Sequence, residues 1–522
     1  MVDWIRSKGI NPASLFLLAF CLVILAWTAV VPVTDAFRMR ELTLNEGWNV
    51  ANSQKVTEHL PLYPGTPDWT PVNYPALSFH LSAALEKLTG DYLFTARMLS
   101  LASLCLSGLL VGLIVFQTGR SRYAAWLSGL FLVAIFCADA RSYVGMDDPQ
   151  MLAQVFYLAG LYAYVKSNRK GWALDLTALL FVLGGNVKHN LIEFPLAVLL
   201  DLLFTAPRKA VRFAVVGLLL AAASVLLTTW IDGPAYVSNL LAPRSYSYFR
   251  AHYVPWLVLK PILLSVAAAL FMAFRSFKHP SQRVLALLLL IALPLDVAFS
   301  GGNGVWINAV FGSLIAIVLL LGIFWAEFPT LPLGPLNAPF KAPLKALPAA
   351  AVCAIFFLSL AIPMKQDIGW GIRSIRRAMQ SSRAAEDRYA AEVAFLRQQP
   401  GPALCMSPLR CYSAGKPYLY DAFNAPRWIA LGKLDANVMV QHLQNRDYSA
   451  VQLLSNVESQ LPGCAATPQC VRPILLAIQQ NYRPAFQDKD SVIYLPDTNK
   501  PQTPSPDTRE PSQTPSPATS KP

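Results

Sequence analysis

The sequence predicts an α-helical polytopic membrane protein of about eleven transmembrane helices carrying a small C-terminal exterior α/β domain. Three observations predict it. The 522 residues are 54% hydrophobic and only 14% charged, with a mean hydropathy of +0.41, too apolar for an average soluble domain. Apolar runs long enough to span a bilayer recur from Ser14–Val33 to about Pro363. The polar segments between them alternate in charge.

The basic loops are "RSR" at Arg120–Arg122, "KSNRK" at Lys166–Lys170, "PRKAVR" at Pro207–Arg212 and "RSFKHPSQR" at Arg275–Arg283. The positive-inside rule makes all four cytoplasmic. The intervening loops then face outward: Thr34 to about Thr95, Ala138–Asp148, Gly185–His189, Ile231–Pro255 and Ser300–Val305. About eleven spans satisfy every basic loop at once, with the N-terminus inside and everything beyond about Met364 outside. The spans around Trp172–Gly184 and Asn190–Phe204 are short. Much of the net charge of +13 lies in these short loops, so it is a topology signal and no nucleic-acid partner is expected. Ser14–Val33 is long for a signal-peptide core and has no clear small-residue cleavage site, so a signal peptide is not expected.

Three regions follow: a membrane domain over residues 1–363 with a long first exterior loop (34–95), an exterior domain over 364–495, and a tail over 496–522. The tail is rich in Pro, Ser and Thr and has too little apolar surface to fold. In the exterior domain, "SIRRAMQSSRAAEDRYAAEVAFLRQQ" predicts a helix. "ALCMS", "PYLYD", "AVQLLS" and "SVIYLP" predict strands, and "DANVMVQHLQN" and "CVRPILLAIQQNY" predict helices. Cys405, Cys411, Cys464 and Cys470 form two pairs of equal spacing, suited to two local disulfides in an oxidising compartment. No Cys-x-x-Cys metal pattern and no Gly-rich dinucleotide fingerprint is present.

Ionisable residues at the outer mouth of a membrane bundle carry the chemistry, because burial beside hydrocarbon is costly without a partner or a task. The candidates are Glu46 in the first exterior loop, Asp147 and Asp148 before the fourth span, and Lys188 and His189 between the fifth and sixth. Arg244, Arg250 and His252 in "APRSYSYFRAHY" and Tyr74 in "NYPAL" lie on the same predicted side. A carboxylate that deprotonates an acceptor hydroxyl and cations that hold a departing phosphate suit transfer of a sugar from a polyprenyl phosphate. Simpler accounts stand beside each residue. Glu46 also reads as a helix N-terminal charge, Asp147 and Asp148 as caps before Pro149, and Lys188 as a snorkelling side chain. Arg244 and Arg250 also read as ligands of lipid headgroups. His189 has no second residue spaced to join it as a metal ligand. The aromatics around Trp69–Tyr74 and Tyr253–Trp256 read as interface anchors, and "GGNGVWIN" as a tight exterior turn in which Asn308 reaches substrate only if the turn folds inward.

"LTLNEGWNVANSQKVTEHLPLYPG", followed by "NYPALSFHLSAALEKLTGDYLFTARMLSLAS", resembles the first exterior loop of the GT-C superfamily of polytopic glycosyltransferases, in its protein O-mannosyltransferase and aminoarabinose transferase branches. Arg97 at the start of the second span, "RSYVGMDDPQMLAQVFYLAGLY", "GGNVKHNLIEFPLAVLL" and "SGGNGVWINAVFGSLIAIVLL" follow in the same motif order. The resemblance covers roughly the membrane domain. It implies a polyprenyl-phosphate sugar donor, a lipid, glycan or protein acceptor, surrounding membrane lipids, and in some relatives a divalent metal cation. Where many relatives have Asp-Glu, this chain has Asn45-Glu46. Either Glu46 is the catalytic base, the reading adopted at this level, or activity is altered or absent. In a bacterial cell the membrane is the inner one, with the C-terminal domain periplasmic. A transporter or lipid flippase is the competing class, and it would call for inverted repeats that the sequence does not show convincingly.

Overall fold

The computed structural model describes residues 12–65, 68–167, 169–327, 347–367, 369, 371–461 and 471–499. It divides into two compact units, one drawn from Met1–Thr66 and Pro71–Asp387, the other from Pro67–Thr70 and Arg388–Pro522. The expected tail lies almost wholly outside the described residues.

The first unit is helical. Its elements are α1 (Pro12–Ala36), α2 (Leu44–Thr57), α3 (Leu77–Thr89), α4 (Tyr92–Gly119), α5 (Arg122–Asp139), α6 (Gln150–Lys166), α7 (Gly171–Val187), α8 (Glu193–Thr205), α9 (Pro207–Asp232) and α10 (Tyr236–Leu240). They continue as α11 (Tyr248–Leu259), α12 (Leu263–Ser276), α13 (Arg283–Ser300), α14 (Phe311–Glu327), α15 (Leu347–Asp367) and α16 (Ile372–Gln398), inside which the division between units falls. Among the described residues seven stretches are long and apolar enough to cross a membrane: the body of α1, α4, α5, α9, the continuous α11–α12 stretch, α13, and α14 with the turn before it. Two shorter apolar stretches, α7 and Ala354–Pro363 within α15, join them, so the described residues hold fewer span-length helices than the eleven expected. With 13 residues, α8 rises about 20 Å and stops short of a ~30 Å hydrocarbon core.

Sequence chemistry sets the helix ends. Asp91 caps α4 by accepting from the Phe94 N–H (2.9 Å), and Ser121 caps α5 by accepting from Ala124 (3.2 Å). Gly145 has φ +68°, and a Cβ there would lie 2.8 Å from the Ala36 Cβ, so the turn between α5 and α6 needs glycine. Apolar all round, α14 is buried along its whole length and forms the centre of the bundle. By contrast α9 is mostly exposed, as suits a lipid-facing helix.

The loops sort to two ends. At one end Asp201, fully buried on α8, accepts from Tyr164 (2.5 Å), Arg169 (2.9 Å) and Arg283 (2.7 Å), joining the basic turns after α6 and α12. Opposite lie the connections expected to face outward. The Tyr63 N–H donates to the Asp232 carbonyl (2.8 Å), and Tyr246 bridges to Gly302.

The second unit is a small α/β fold. Its strands β1 (Ala403–Cys405), β2 (Ala450–Leu453), β3 (Tyr482–Gln487) and β4 (Val492–Pro496) form one sheet in the order β1-β2-β4-β3. Only β1 and β2 are parallel, in register Ala403↔Ala450. Helices Ala436–Gln444 and Arg472–Asn481 pack their apolar faces on it. One expected strand is absent: "PYLYD" is irregular, because the Asp421 N–H donates to the Trp69 carbonyl (2.8 Å) and its carboxylate caps the helix Asn424–Ala430. The edge strand β3 was not anticipated. Cys405 and Cys411 form a disulfide, and Cys464 and Cys470 lie outside the described residues.

Candidate active site

The long connection between α1 and α4 places Glu46 in the first turn of α2, where its carboxylate reaches back to accept from the Leu42 N–H (2.7 Å). The same carboxylate meets Arg97, one turn into α4. Nε of Arg97 donates to Oε1 and Nη2 to Oε2, both at 2.7 Å, and the Asp147 N–H adds a fourth donor (3.1 Å). Arg97 spends its remaining hydrogens on the carbonyls of Arg38 and Arg40 (2.6 Å each), just past α1, and of Asp35 (3.4 Å) in its last turn. Glu46 is 0% and Arg97 1% exposed, so this is a fork-to-fork pair out of water. Four donors thus occupy its two oxygens, and Glu46 ties the loop to α4 and to the turn before α6.

The two aspartates that adjoin in sequence separate in environment. Asp148 accepts from Lys188 Nζ (2.7 Å) and from the Gln150 N–H (2.8 Å), so it both pairs and turns the chain into α6. Asp147 is buried, yet its carboxyl makes no hydrogen bond or ion pair with the described residues; its carbonyl accepts from Asn49 (2.6 Å). Burial, then the nearby charges of Glu46 and Asp148, push the Asp147 carboxyl well above the usual carboxylate range against the opposing pull of Arg97. Asp147 and Asp148 line a small polar cavity with Asn49, Ser78 and Ser100, with room for about one water. Around it Asn49 Oδ1, Ser78 Oγ, Ser100 Oγ and Asp148 Oδ2 are buried without a hydrogen-bond partner among the described residues.

Cations gather beside this cavity. Lys188, at the end of α7, sits 4.8 Å from the centre of the Tyr74 ring. Burial would lower its pKa, but Asp148 and Tyr74 outweigh it and hold Lys188 charged. His189 is enclosed by protein yet open to water; that enclosure, with Arg244 and Lys188 nearby, brings its pKa down to about 4. Arg244 is half-buried, and its guanidinium makes no hydrogen bond or ion pair with the described residues.

The structure thus brings together Glu46, Tyr74, Asp147, Asp148, Lys188, His189 and Arg244. Arg250 is directed elsewhere: it donates to the Val305 carbonyl and stacks 5.9 Å from the Trp306 ring. Asn308 does turn inward, accepting from Tyr143 (3.0 Å) and donating to Gln150 (3.3 Å). Sequence reading noted Arg97 as a motif match and missed its role as the partner of Glu46. Among the described residues no three His, Cys, Asp or Glu side chains come together as metal ligands.

No family model matches the chain, and no curated protein matches it. Solved structures do. ArnT from Cupriavidus metallidurans in the apo state is similar over 91% of this chain and 97% of its own, with a TM-score of 0.58 at 14% identity. The same protein bound to undecaprenyl phosphate gives 0.54 at 14%, covering 91% of this chain and 98% of its own. AglB, the archaeal oligosaccharyltransferase from Archaeoglobus fulgidus in complex with an inhibitory peptide and a dolichol-phosphate, gives 0.53 at 12%, over 95% of this chain and 75% of its own. At such identities the likeness is one of fold: the chain shares the polytopic helical architecture of these two proteins.

Proposed function

We propose that this chain is a membrane glycosyltransferase that moves a sugar from a polyprenyl-phosphate donor to an acceptor hydroxyl or amide at the carboxylate end of its bundle. The observation that carries the reading is the half-buried Arg244 beside Lys188 and His189, next to the Asp147 carboxyl, where neither Arg244 nor that carboxyl has a partner among the described residues. An arginine with no partner among the described residues, beside a charged lysine, suits an anion, and a buried carboxyl raised above its usual range suits a proton acceptor. The ligands of the neighbours, undecaprenyl phosphate in ArnT and dolichol-phosphate in AglB, belong to the same chemical class.

In this reading the acceptor gives its proton to Asp147 as its oxygen or nitrogen bonds to the anomeric carbon. The bond from that carbon to the phosphate oxygen breaks, and the lipid phosphate leaves with the electron pair, held by Lys188, Arg244 and His189. Glu46 passes from base to positioning residue: through Arg97 and the Asp147 N–H it fixes the loop that carries the acid. Asp148 aims Lys188. Nothing in these contacts selects a donor sugar or an acceptor.

The test is transfer of label from a panel of polyprenyl-phosphate sugars in proteoliposomes supplied with membrane-lipid and glycan extracts. Release of lipid phosphate by the wild type, with KM for the donor raised about tenfold or more in Arg244→Gln, is expected. A wild type inert toward every donor, or an Arg244→Gln protein with unchanged KM, would overturn the reading.

A further inference from the structure

Over the half of the bundle that ends in the basic turns, α4 and α5 touch backbone to backbone. A Cβ on Gly129 would lie 2.6 Å from the Gly108 carbonyl oxygen, and one on Gly112 would lie 2.9 Å from that of Ala125. Small residues four apart on both helices allow this approach, and they leave nothing to fill the surface above the seam. An open apolar groove of about 540 Å³ results, walled by Leu25 of α1, Leu109 and Phe116 of α4, and Trp126 and Val133 of α5.

Its length is informative. One wall runs from Cys105 to Phe116 and the other from Arg122 to Val133. Each is eleven helical steps, about 17 Å, or roughly half of a ~30 Å hydrocarbon core. The groove therefore spans one leaflet, too short for a neighbouring transmembrane helix and suited to a single acyl chain. Arg122 lines its outer end, with Arg120 two residues away in the turn. Both arginines are exposed, and neither guanidinium has a hydrogen bond or ion pair with the described residues.

We propose that this groove binds one acyl chain of an anionic phospholipid from the leaflet on the basic-loop side, with its phosphate held by Arg120 and Arg122. The site is remote from the carboxylate end and does not depend on the glycosyltransferase reading. Basic residues at the end of an interhelical groove contribute roughly a kilocalorie each toward an anionic headgroup, or about fivefold in affinity per arginine.

The experiment uses the full chain in nanodiscs containing brominated phosphatidylglycerol or brominated phosphatidylcholine. It reads the part of tryptophan quenching that disappears in Trp126→Phe, since Trp126 is 67% exposed on the groove wall. Half-maximal quenching is expected at a several-fold lower mole fraction of phosphatidylglycerol, and Arg120→Gln with Arg122→Gln should make the two lipids equivalent. These exposed arginines leave the packed core untouched, so the double variant should fold. Equal quenching by both lipids in the wild type, a preference that survives the double substitution, or a Trp126 shielded from both lipids would each overturn the proposal.

Discussion

Arg97 and Glu46 meet through two parallel hydrogen bonds of 2.7 Å, 51 residues apart in sequence and both removed from water. The pair joins the connection between α1 and α4 to α4 itself, and by way of the Asp147 N–H it sets the position of the residue proposed as base. Removing one partner strands the other as an uncompensated buried charge.

Arg97→Gln should therefore cost about 3 to 5 kcal/mol of stability and lower the unfolding temperature of the purified protein in detergent. Arg97→Gln paired with Glu46→Gln should recover part of that loss, because no charge is then left alone. A single variant as stable as the wild type would show the pair to be expendable.

Asp147→Asn bears on the raised carboxyl. A carboxyl whose folded pKa lies above its unfolded value of about 3.9 favours the folded state in its protonated form. That contribution is present at low pH and is lost as pH rises through the raised pKa. Asparagine resembles the protonated form at every pH. The variant should therefore match the wild type in melting temperature near pH 4 and exceed it increasingly toward pH 8; a gap that closes as pH rises would contradict the assignment.

His189 makes a proton-linked prediction. Burial with Arg244 and Lys188 nearby holds its pKa near 4, so at pH 6 the imidazole is neutral. A lipid phosphate placed beside it raises that pKa, and binding should take up a fraction of a proton at about pH 5 to 6. Calorimetry in buffers of different ionisation enthalpy measures this uptake, and His189→Gln should abolish it. Uptake that persists in the variant would place the proton elsewhere.

Asp201 serves as the control at the opposite end. Its substitution by Asn removes a buried acid from between Arg169 and Arg283 and should cost about 3 kcal/mol while leaving KM for the donor unchanged in the folded fraction. A selective rise in KM would mean that the two ends are coupled.

Hydropathy and the placement of Lys and Arg made the bundle legible, since those signals are local and the bilayer imposes them on every span. The short helices were legible too, α8 among them. "PYLYD" misled because alternating aromatics look like a strand, whereas its backbone is bonded to Trp69, which is remote in sequence. Strand β3 escaped because Pro484 and Arg483 make it polar, which an edge strand tolerates. At the site, the residue set was readable and the roles were not. Glu46 looks like a free acid until Arg97 is brought to it, and Asp147 and Asp148 are indistinguishable until the fold pairs Asp148 with Lys188 and leaves the Asp147 carboxyl without a partner among the described residues.

The central claim is that Asp147, with Glu46 behind it, accepts the acceptor's proton. Single-turnover transfer of labelled sugar at saturating donor, compared among wild type, Asp147→Asn and Glu46→Gln over pH 5 to 9, tests it most directly. The account predicts a wild-type rate that climbs with pH to a plateau, a loss of at least about a hundredfold in folded, donor-binding Asp147→Asn at every pH, and a Glu46→Gln protein impaired chiefly in stability. Full transfer by Asp147→Asn, with transfer abolished in a stable Glu46→Gln protein, would contradict it and return the base to Glu46.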